Sequence, residues 1–196
     1  MKLRLLSIAI LISCFFLNGC TSLMVAGAAT GAVASQDRRT LPTQLEDQNI
    51  ELKTTTALFK NDQVWKDCNI EAISYNTNLL LVGQAPTASL KTKAELEAKK
   101  IEKVNRINNQ IRIGAPISFF AKRNDEYLTS KVKSSMLFTK DFPSAKVKVV
   151  TENSEVFLLG LVTKDEAEKA IDIARKVDGV TKVINVLEII KVDNTD

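Results

Sequence analysis

The sequence predicts an α+β fold built twice in tandem. Each copy runs α-β-β-α-β, with a small three-stranded mixed sheet covered on one face by two helices. Three observations predict it. Asn69–Gln84 (NIEAISYNTNLLLVGQ) alternates at Ile70, Ala72 and Ser74, turns at Asn76-Thr77, and runs through Leu79–Val82 into Gly83, the pattern of a β-hairpin. Val147–Val162 does the same: Val147, Val149 and Thr151 alternate, Asn153-Ser154 turns, and an apolar run carries Gly160. Asn76 stands 77 residues before Asn153 and Gly83 stands 77 before Gly160, and such fixed-period self-similarity marks a repeat.

The totals bound the rest. With 196 residues, 45% hydrophobic and 26% charged, the chain has room for one domain or two small ones. Removing Lys2 and Arg4 with a leader takes the 27 basic residues to 25 against 23 acidic, a mature charge of +2. That is no concentrated basic footprint, so nucleic acid is not the expected partner. Histidine is absent, which removes the commonest general base and metal ligand.

Residues 1–19 read as a secretory signal: Lys2 and Arg4, then the apolar Leu5–Leu17. A helix of that length is about 20 Å long, too short for a hydrocarbon core of about 30 Å. The Leu17-Asn18-Gly19-Cys20 end resembles a bacterial lipobox, Asn18 being less usual there than a small residue. The resemblance implies that Cys20 is lipidated and becomes the first mature residue. Thr21 follows, not the aspartate of inner-membrane retention, so the expected place is the outer membrane, lipid-anchored and facing the periplasm. Only Cys68 then remains in the folded part, with no intramolecular disulfide partner, and it reads as a small core residue.

Residues 20–45 (AGAATGAVAS, then Asp37-Arg38-Arg39 and Pro42) read as a flexible tether. The first unit is expected over 46–113. Asp47 caps a helix whose inner face is Ile50, Thr54, Ala57 and Leu58; the hairpin follows; Leu90, Ala94, Ala98, Ile101 and Val104 make one stripe of a helix over Ala88–Val104; and Ile107, Ile111 and Ile113 close the sheet. Gly114-Ala115-Pro116 opens a linker over 114–123, in which Ile117, Phe119 and Phe120 are expected to be pinned between the units. The second unit is expected over 124–191. Asn124 caps a helix of Asp125–Phe138, and the second hairpin follows. Thr163-Lys164-Asp165-Glu166 is a capping box for a helix lined by Ala167, Ala170, Ile171, Ala174 and Val177. Gly179 ends that helix, and Val180–Lys191 is the last strand. Residues 192–196 are a tail.

No chemistry of catalysis is legible: no Gly-rich phosphate loop, no His-Cys cluster and no apparent carboxylate pair, so neither enzyme nor cofactor is expected. The best binding candidate is the first helix of the second unit. Leu128, Val132 and Ser135/Met136 suffice for its core face, while Tyr127, Lys131, Ser134 and Phe138 fall on the neighbouring face with Lys133 and Leu137 beside them. Lys122, Arg123, Lys131, Lys133 and Lys140 outweigh Asp125 and Glu126 there, a local +3. An aromatic with a polar tip among ammonium groups suits an anionic bilayer surface. On pattern alone the favoured reading is the blander one, that Phe138 and Leu137 pack against the linker phenylalanines above a solvated lysine face.

The α-β-β-α-β order, ENSEVFLLGLV, the alanine-spaced helix and the DGVTKVINVL ending resemble the BON domain. The resemblance covers both units, and the first departs from it with Asn105-Arg106-Ile107 where Gly-Val is usual. With the lipobox, the chain is similar to dual-BON-domain outer-membrane lipoproteins. The expected protein is a non-enzymatic monomer. The resemblance implies binding of anionic phospholipid of the phosphatidylglycerol kind through Tyr127, Lys131, Lys133, Ser134, Leu137 and Phe138, with support of envelope integrity at division sites. Tyr127 stands where the family has a membrane-inserting tryptophan and offers less apolar area. The alternative is a periplasmic adaptor that docks the outer-membrane protein assembly machinery.

Overall fold

The computed structural model describes residues 37–191. The signal, Cys20, most of the tether and the 192–196 tail lie outside the described residues. In chain order the elements are α1 (Leu41–Lys60), α2 (Asp62–Asp67), β1 (Asn69–Tyr75), β2 (Asn78–Ala85), α3 (Ala88–Ala98), β3 (Arg106–Asn109) and β4 (Arg112–Ile113). The second repeat follows with α4 (Phe119–Phe138), a 3-10 turn at Ser144–Lys146, β5 (Val147–Glu152), β6 (Glu155–Val162), α5 (Lys164–Arg175), β7 (Lys182–Asn185) and β8 (Glu188–Ile189).

The hairpins form as expected: β1 and β2 pair antiparallel with Tyr75 opposite Asn78, and β5 and β6 with Glu152 opposite Glu155. β3 and β4 both run parallel to β2, and β7 and β8 both parallel to β6, so each sheet is mixed. The closing strand is broken in both repeats for one reason. The Asn109 side chain accepts from the Ile111 amide (3.2 Å) and Asn185 from the Leu187 amide (2.9 Å), and this local turn drives Ile111 into its domain's core. Gly83 and Gly160 admit the start of the neighbouring strand, since a Cβ would lie 2.0 Å from the Asn69 carbonyl oxygen and 2.4 Å from that of Lys146.

Each domain buries its helices against one sheet face, through Ile50, Leu58, Leu79, Leu81 and Ala94 in the first and Val132, Met136, Val156, Leu158 and Ala170 in the second. The opposite faces are apolar too. Ile73, Tyr75, Leu80 and Val82 meet Phe157 and Leu159, and Val150, Leu161 and Ile184 pack beside them. The sheets therefore stack face to face in four layers, helices outside and sheets within. This explains why β2 and β6 read as unbroken apolar runs: strands covered on both faces lose their alternation. Each large side chain buried there contributes roughly 1.5–3 kcal/mol. The units pack together as expected, but not through the linker: Phe119 is 65% exposed and Phe120 82%, and only Ile117 is half-buried.

Both first helices start earlier than expected. Thr40 caps α1 with Pro42 in its first turn, and Ser118 caps α4 by accepting from the Ala121 amide (3.2 Å). Residues 119–123 are thus helix, not linker, and 41–45 helix, not tether. Asp47 and Asn124 are therefore not caps but lie inside their helices, and Asp47 and Asp125 are buried there. Asp125 accepts from the amides of Asn153 and Ser154, both at 2.7 Å. Asp47 accepts from the amides of Asn76 (2.8 Å) and Thr77 (2.7 Å), from the Ser74 hydroxyl and from Arg39. The four turn residues all have φ between 50° and 62°, a conformation unfavourable to side chains and worst for β-branched Thr77. Each carboxylate holds its hairpin's strained turn against its helix. At the other helices, α3 stops at Ala98, yet Ile101 and Val104 still pack on the core; α5 stops at Arg175, and Gly179 lies in the turn beyond, against Leu128.

Residues 37–39, expected as tether, form a clasp. Arg39 lies 3.8 Å over the Tyr75 ring and pairs with Asp37 and buried Asp47, both at 2.8 Å. Arg38 crosses to the second domain, pairing with Glu166 (2.5 Å) and donating to the Leu161 carbonyl (3.0 Å). Glu188 accepts from Asn78 (2.6 Å) across the same seam, and Lys148 pairs with Glu51 (3.0 Å).

Three outcomes follow from this architecture. Asp125→Ala leaves two half-buried turn amides unpaired and is expected to cost about 2–4 kcal/mol, lowering the melting temperature by roughly 5–15 °C, with Asp47→Ala costing more; a wild-type melting curve for Asp125→Ala would show that the clamp does not hold the turn. The fully buried Thr54 hydroxyl has no partner among the described residues, and the same inner position in α4 is Val132, so Thr54→Val is expected to add about 1 kcal/mol in urea titrations. Burial raises the Glu166 carboxyl, but hydrogen bonds from Arg38, the Thr163 amide and Lys146 outweigh it and hold the pKa down at about 2. A carboxyl whose folded pKa lies below its unfolded one stabilises at higher pH and loses that contribution as pH falls. Wild type is thus expected to lose about 2–3 kcal/mol from this group between about pH 5 and about pH 2. Glu166→Gln should lack that slope in urea midpoints measured across the range; equal slopes would contradict the assignment.

Candidate functional site

The inner face of α4 carries Asp125, Leu128, Val132 and Met136, at the i, i+3, i+7, i+11 spacing of a helix stripe. Everything else large on the helix looks outward. Phe120, Tyr127 and Phe138 fall within about 20° of one another on a helical wheel, and Phe119 and Leu137 coincide in a second row some 80–100° away. All five are more than 60% exposed, Phe138 at 84%. Four of the expected residues, Tyr127, Lys131, Ser134 and Phe138, thus line one row. Leu137 stands in the other, and exposed Lys133 flanks it beside a shallow hollow of about 280 Å³.

Phe138 and Leu137 do not pack on the linker phenylalanines, which lie at the opposite end of the same helix, about 27 Å away at 1.5 Å per residue. Phe119 and Phe120, edge-to-face at 5.9 Å, are instead part of the same surface. The signal for them was Ser118, an N-cap residue directly before the phenylalanines.

The cations differ in freedom. Lys131 is half-buried, its ammonium donating to the Asp178 carbonyl (3.1 Å) and standing 5.5 Å from the Tyr127 ring centroid. It fixes Tyr127 and the turn after α5 as much as it faces solvent. Arg123 lies 5.2 Å over Phe119 and pairs with Glu126 at 2.8 Å on the surface. Lys133 makes no salt bridge among the described residues, so its charge is available to a ligand.

Concave sites offer less. A hollow of about 630 Å³ between α1, α4, β1 and β5 is lined by Glu51, Glu71, Asp125, Glu126 and Glu152 against Lys122 and Lys148, which disfavours an anion. Burial there, together with Asp125 and Glu71, raises the Glu152 carboxyl against its hydrogen bond from Gln84. Among the described residues no group of three or more His, Cys, Asp or Glu could hold a metal. Cys68 is half-buried at the end of α2, and burial and Asp67 push its thiol up, away from the reactive thiolate. No described helix is long and apolar enough to cross a membrane.

Comparison with known proteins agrees with this architecture. The BON domain model matches twice, over residues 46–115 and 124–191. The chain is 40% identical to the outer membrane lipoprotein DolP of Haemophilus influenzae over 173 residues, 88% of this chain and 90% of that protein. It is 37% identical over 155 residues to the 21 kDa hemolysin of Actinobacillus pleuropneumoniae, covering 79% and 80% of the two. It is 28% identical over 147 residues to the osmotically-inducible protein Y of Escherichia coli, covering 74% and 73%. Two domain matches in register with two hairpin-and-helix units, and near end-to-end similarity to a lipoprotein, make this chain a member of the BON-domain family, a lipid-anchored outer-membrane lipoprotein with two copies of the domain.

Proposed function

We propose that α4 is a membrane-contacting element with which the protein, anchored by lipid on Cys20 and facing the periplasm, recognises anionic phospholipid of the phosphatidylglycerol kind. The observation that carries this reading is the outward pair of apolar rows on one helix, set among Arg123, Lys131 and Lys133. A helix of twenty residues is about 30 Å long, and an apolar band of this width beside cations lies in a headgroup region with its rings toward the acyl chains. Each lysine near an acidic surface contributes about 1 kcal/mol, fading within a Debye length. The protein acts by binding, not catalysis, and its role in envelope integrity and at division sites follows the BON-lipoprotein resemblance. An adaptor that docked assembly machinery through the same rows would bind with little sensitivity to salt or lipid charge.

Co-sedimentation of the mature chain from Thr21, without the lipidated cysteine, tests this with phosphatidylglycerol and phosphatidylcholine vesicles. Binding is expected only to the anionic vesicles and is expected to weaken as salt rises. Phe138→Glu should cost roughly tenfold or more in affinity, Lys133→Glu about fivefold, and Tyr127→Trp should strengthen binding several-fold by its larger apolar area. Equal binding to both vesicles, or none by wild type, overturns the lipid reading and moves the search to protein partners.

A further inference from the structure

The first domain carries a second outward apolar row. Leu41, Leu45, Leu52 and Phe59 fall within about 40° of one another on α1, over some 27 Å, and all are more than half exposed. At its far end Trp65 of α2, also more than half exposed, packs edge-to-face on Phe59 at 4.7 Å. Leu52 also borders a largely apolar hollow of about 560 Å³ together with Ile101, rimmed by Lys53, Lys60 and Lys100 against Glu102. Neither Lys53 nor Lys60 makes a salt bridge among the described residues. Of the neighbouring acids, Glu46 pairs with Lys103 at 2.6 Å and Glu51 with Lys148 at 3.0 Å, which leaves Glu102 in the rim against Lys53 and Lys60.

We propose that α1 and Trp65 form a second contact with the lipid bilayer, separate from α4, in which the Leu41–Phe59 row and the indole enter the interface while Lys53 and Lys60 face anionic headgroups. Two observations choose a bilayer as the occupant. The first is charge: an apolar floor whose rim carries Lys53 and Lys60, without salt bridges among the described residues, against the lone acid Glu102 complements an anionic surface. The second is reach. The clasp at Asp37-Arg38-Arg39 holds the chain's entry point two residues before Leu41, and the sixteen residues between Cys20 and Asp37 span at most about 55 Å. A lipid on Cys20 thus keeps this row at high effective concentration near the membrane. An aromatic pair ending a lysine-flanked row is also the composition of membrane–water interfaces. The proposal rests on the outer-membrane anchoring and takes its ligand class from the reading of α4, but not its residues.

Trp65 is the single tryptophan of the chain and reports on this surface directly. The test uses the complete lipoprotein, reconstituted through its own anchor into vesicles of equal parts phosphatidylglycerol and phosphatidylcholine. Trp65 emission is expected to shift to the blue, to be quenched by brominated acyl chains, and to lose roughly threefold of its quenching by iodide. Leu45→Glu with Leu52→Glu, both on the solvent face of α1, should restore emission from water with the fold unchanged by circular dichroism. Phe138→Glu should leave the Trp65 signal in place. If Trp65 in wild type stays open to iodide and untouched by brominated lipid, the proposal is overturned, and the α4 reading still stands on its own co-sedimentation. A blue shift that appears with rising protein concentration in lipid-free solution identifies a second copy as the occupant and also overturns it. If α4 fails to bind vesicles while Trp65 is buried in them, this proposal holds and that reading fails.

Discussion

The structure depends on the central strands β2 and β6 being apolar on both faces. Helices can cover only one face of each sheet, and a domain of this size left with Leu80 and Val82, or Phe157 and Leu159, in water would expose the equivalent of a second core. The two repeats solve this for each other by stacking sheet on sheet. One consequence is mechanical: the pair behaves as one unit instead of two beads on a linker. The other concerns function. With both sheet faces spent on packing, the outward faces of the helices are the large surfaces left for recognition.

The helices are in turn held in place by two buried carboxylates. Asp47 and Asp125 stand on the inner faces of α1 and α4 and accept from the turn amides of their own hairpins. A charge-assisted bond of this sort is stronger than a neutral one, and it acts where the backbone is least favourable, at four non-glycine residues of positive φ. Because the helix holds the turn, rotating α1 or α4 about its axis would break the clamp. The clamp therefore fixes which residues look outward, and so fixes the apolar rows as surface.

This is also why the fold was legible in sequence and the surface only in part. The hairpins, the Thr163 capping box and the alanine helix α5 are local patterns, and all three form where the pattern puts them. The starts of α1 and α4 were misplaced because Asp47 and Asn124, just before amphipathic runs, have the composition of N-caps, and the partners of Asp47 and Asp125, 28 to 30 residues away, leave no local trace. That misplacement moved Phe119 and Phe120 into a linker and Leu41 and Leu45 into a tether. The stacking of the sheets was hidden in the same way, since an apolar run shows that a strand is covered on both faces without showing by what. Tyr127, Lys133, Ser134, Leu137 and Phe138 were legible because their helix had more apolar positions than one core contact uses; Lys131 is drawn partly into structure by the Asp178 carbonyl.

The two repeats then show where selection of side chains is free. At equivalent inner positions α1 and α4 carry Asp47 and Asp125, Ile50 and Leu128, Leu58 and Met136, all buried. Outward, several of the same positions hold unrelated residues, Leu45 against Arg123, Leu52 against Ser130 and Lys60 against Phe138, while Leu41 and Phe119, Lys53 and Lys131, and Phe59 and Leu137 keep their character. A duplicated domain must keep the first set to fold, and nothing in the packing constrains the second. Large apolar side chains nevertheless remain in water on both helices, arranged in rows along their length, where polar residues would serve folding equally well. The clasp adds to this asymmetry between inside and outside. Arg38 and Arg39 fasten the chain's entry to both domains at their seam, so the point from which the tether leaves is set by the same packing that sets the rows. With the chain's entry point and its apolar helix faces held by the same packing, those faces have set directions, so a partner would meet a convex surface that needs no pocket to orient it.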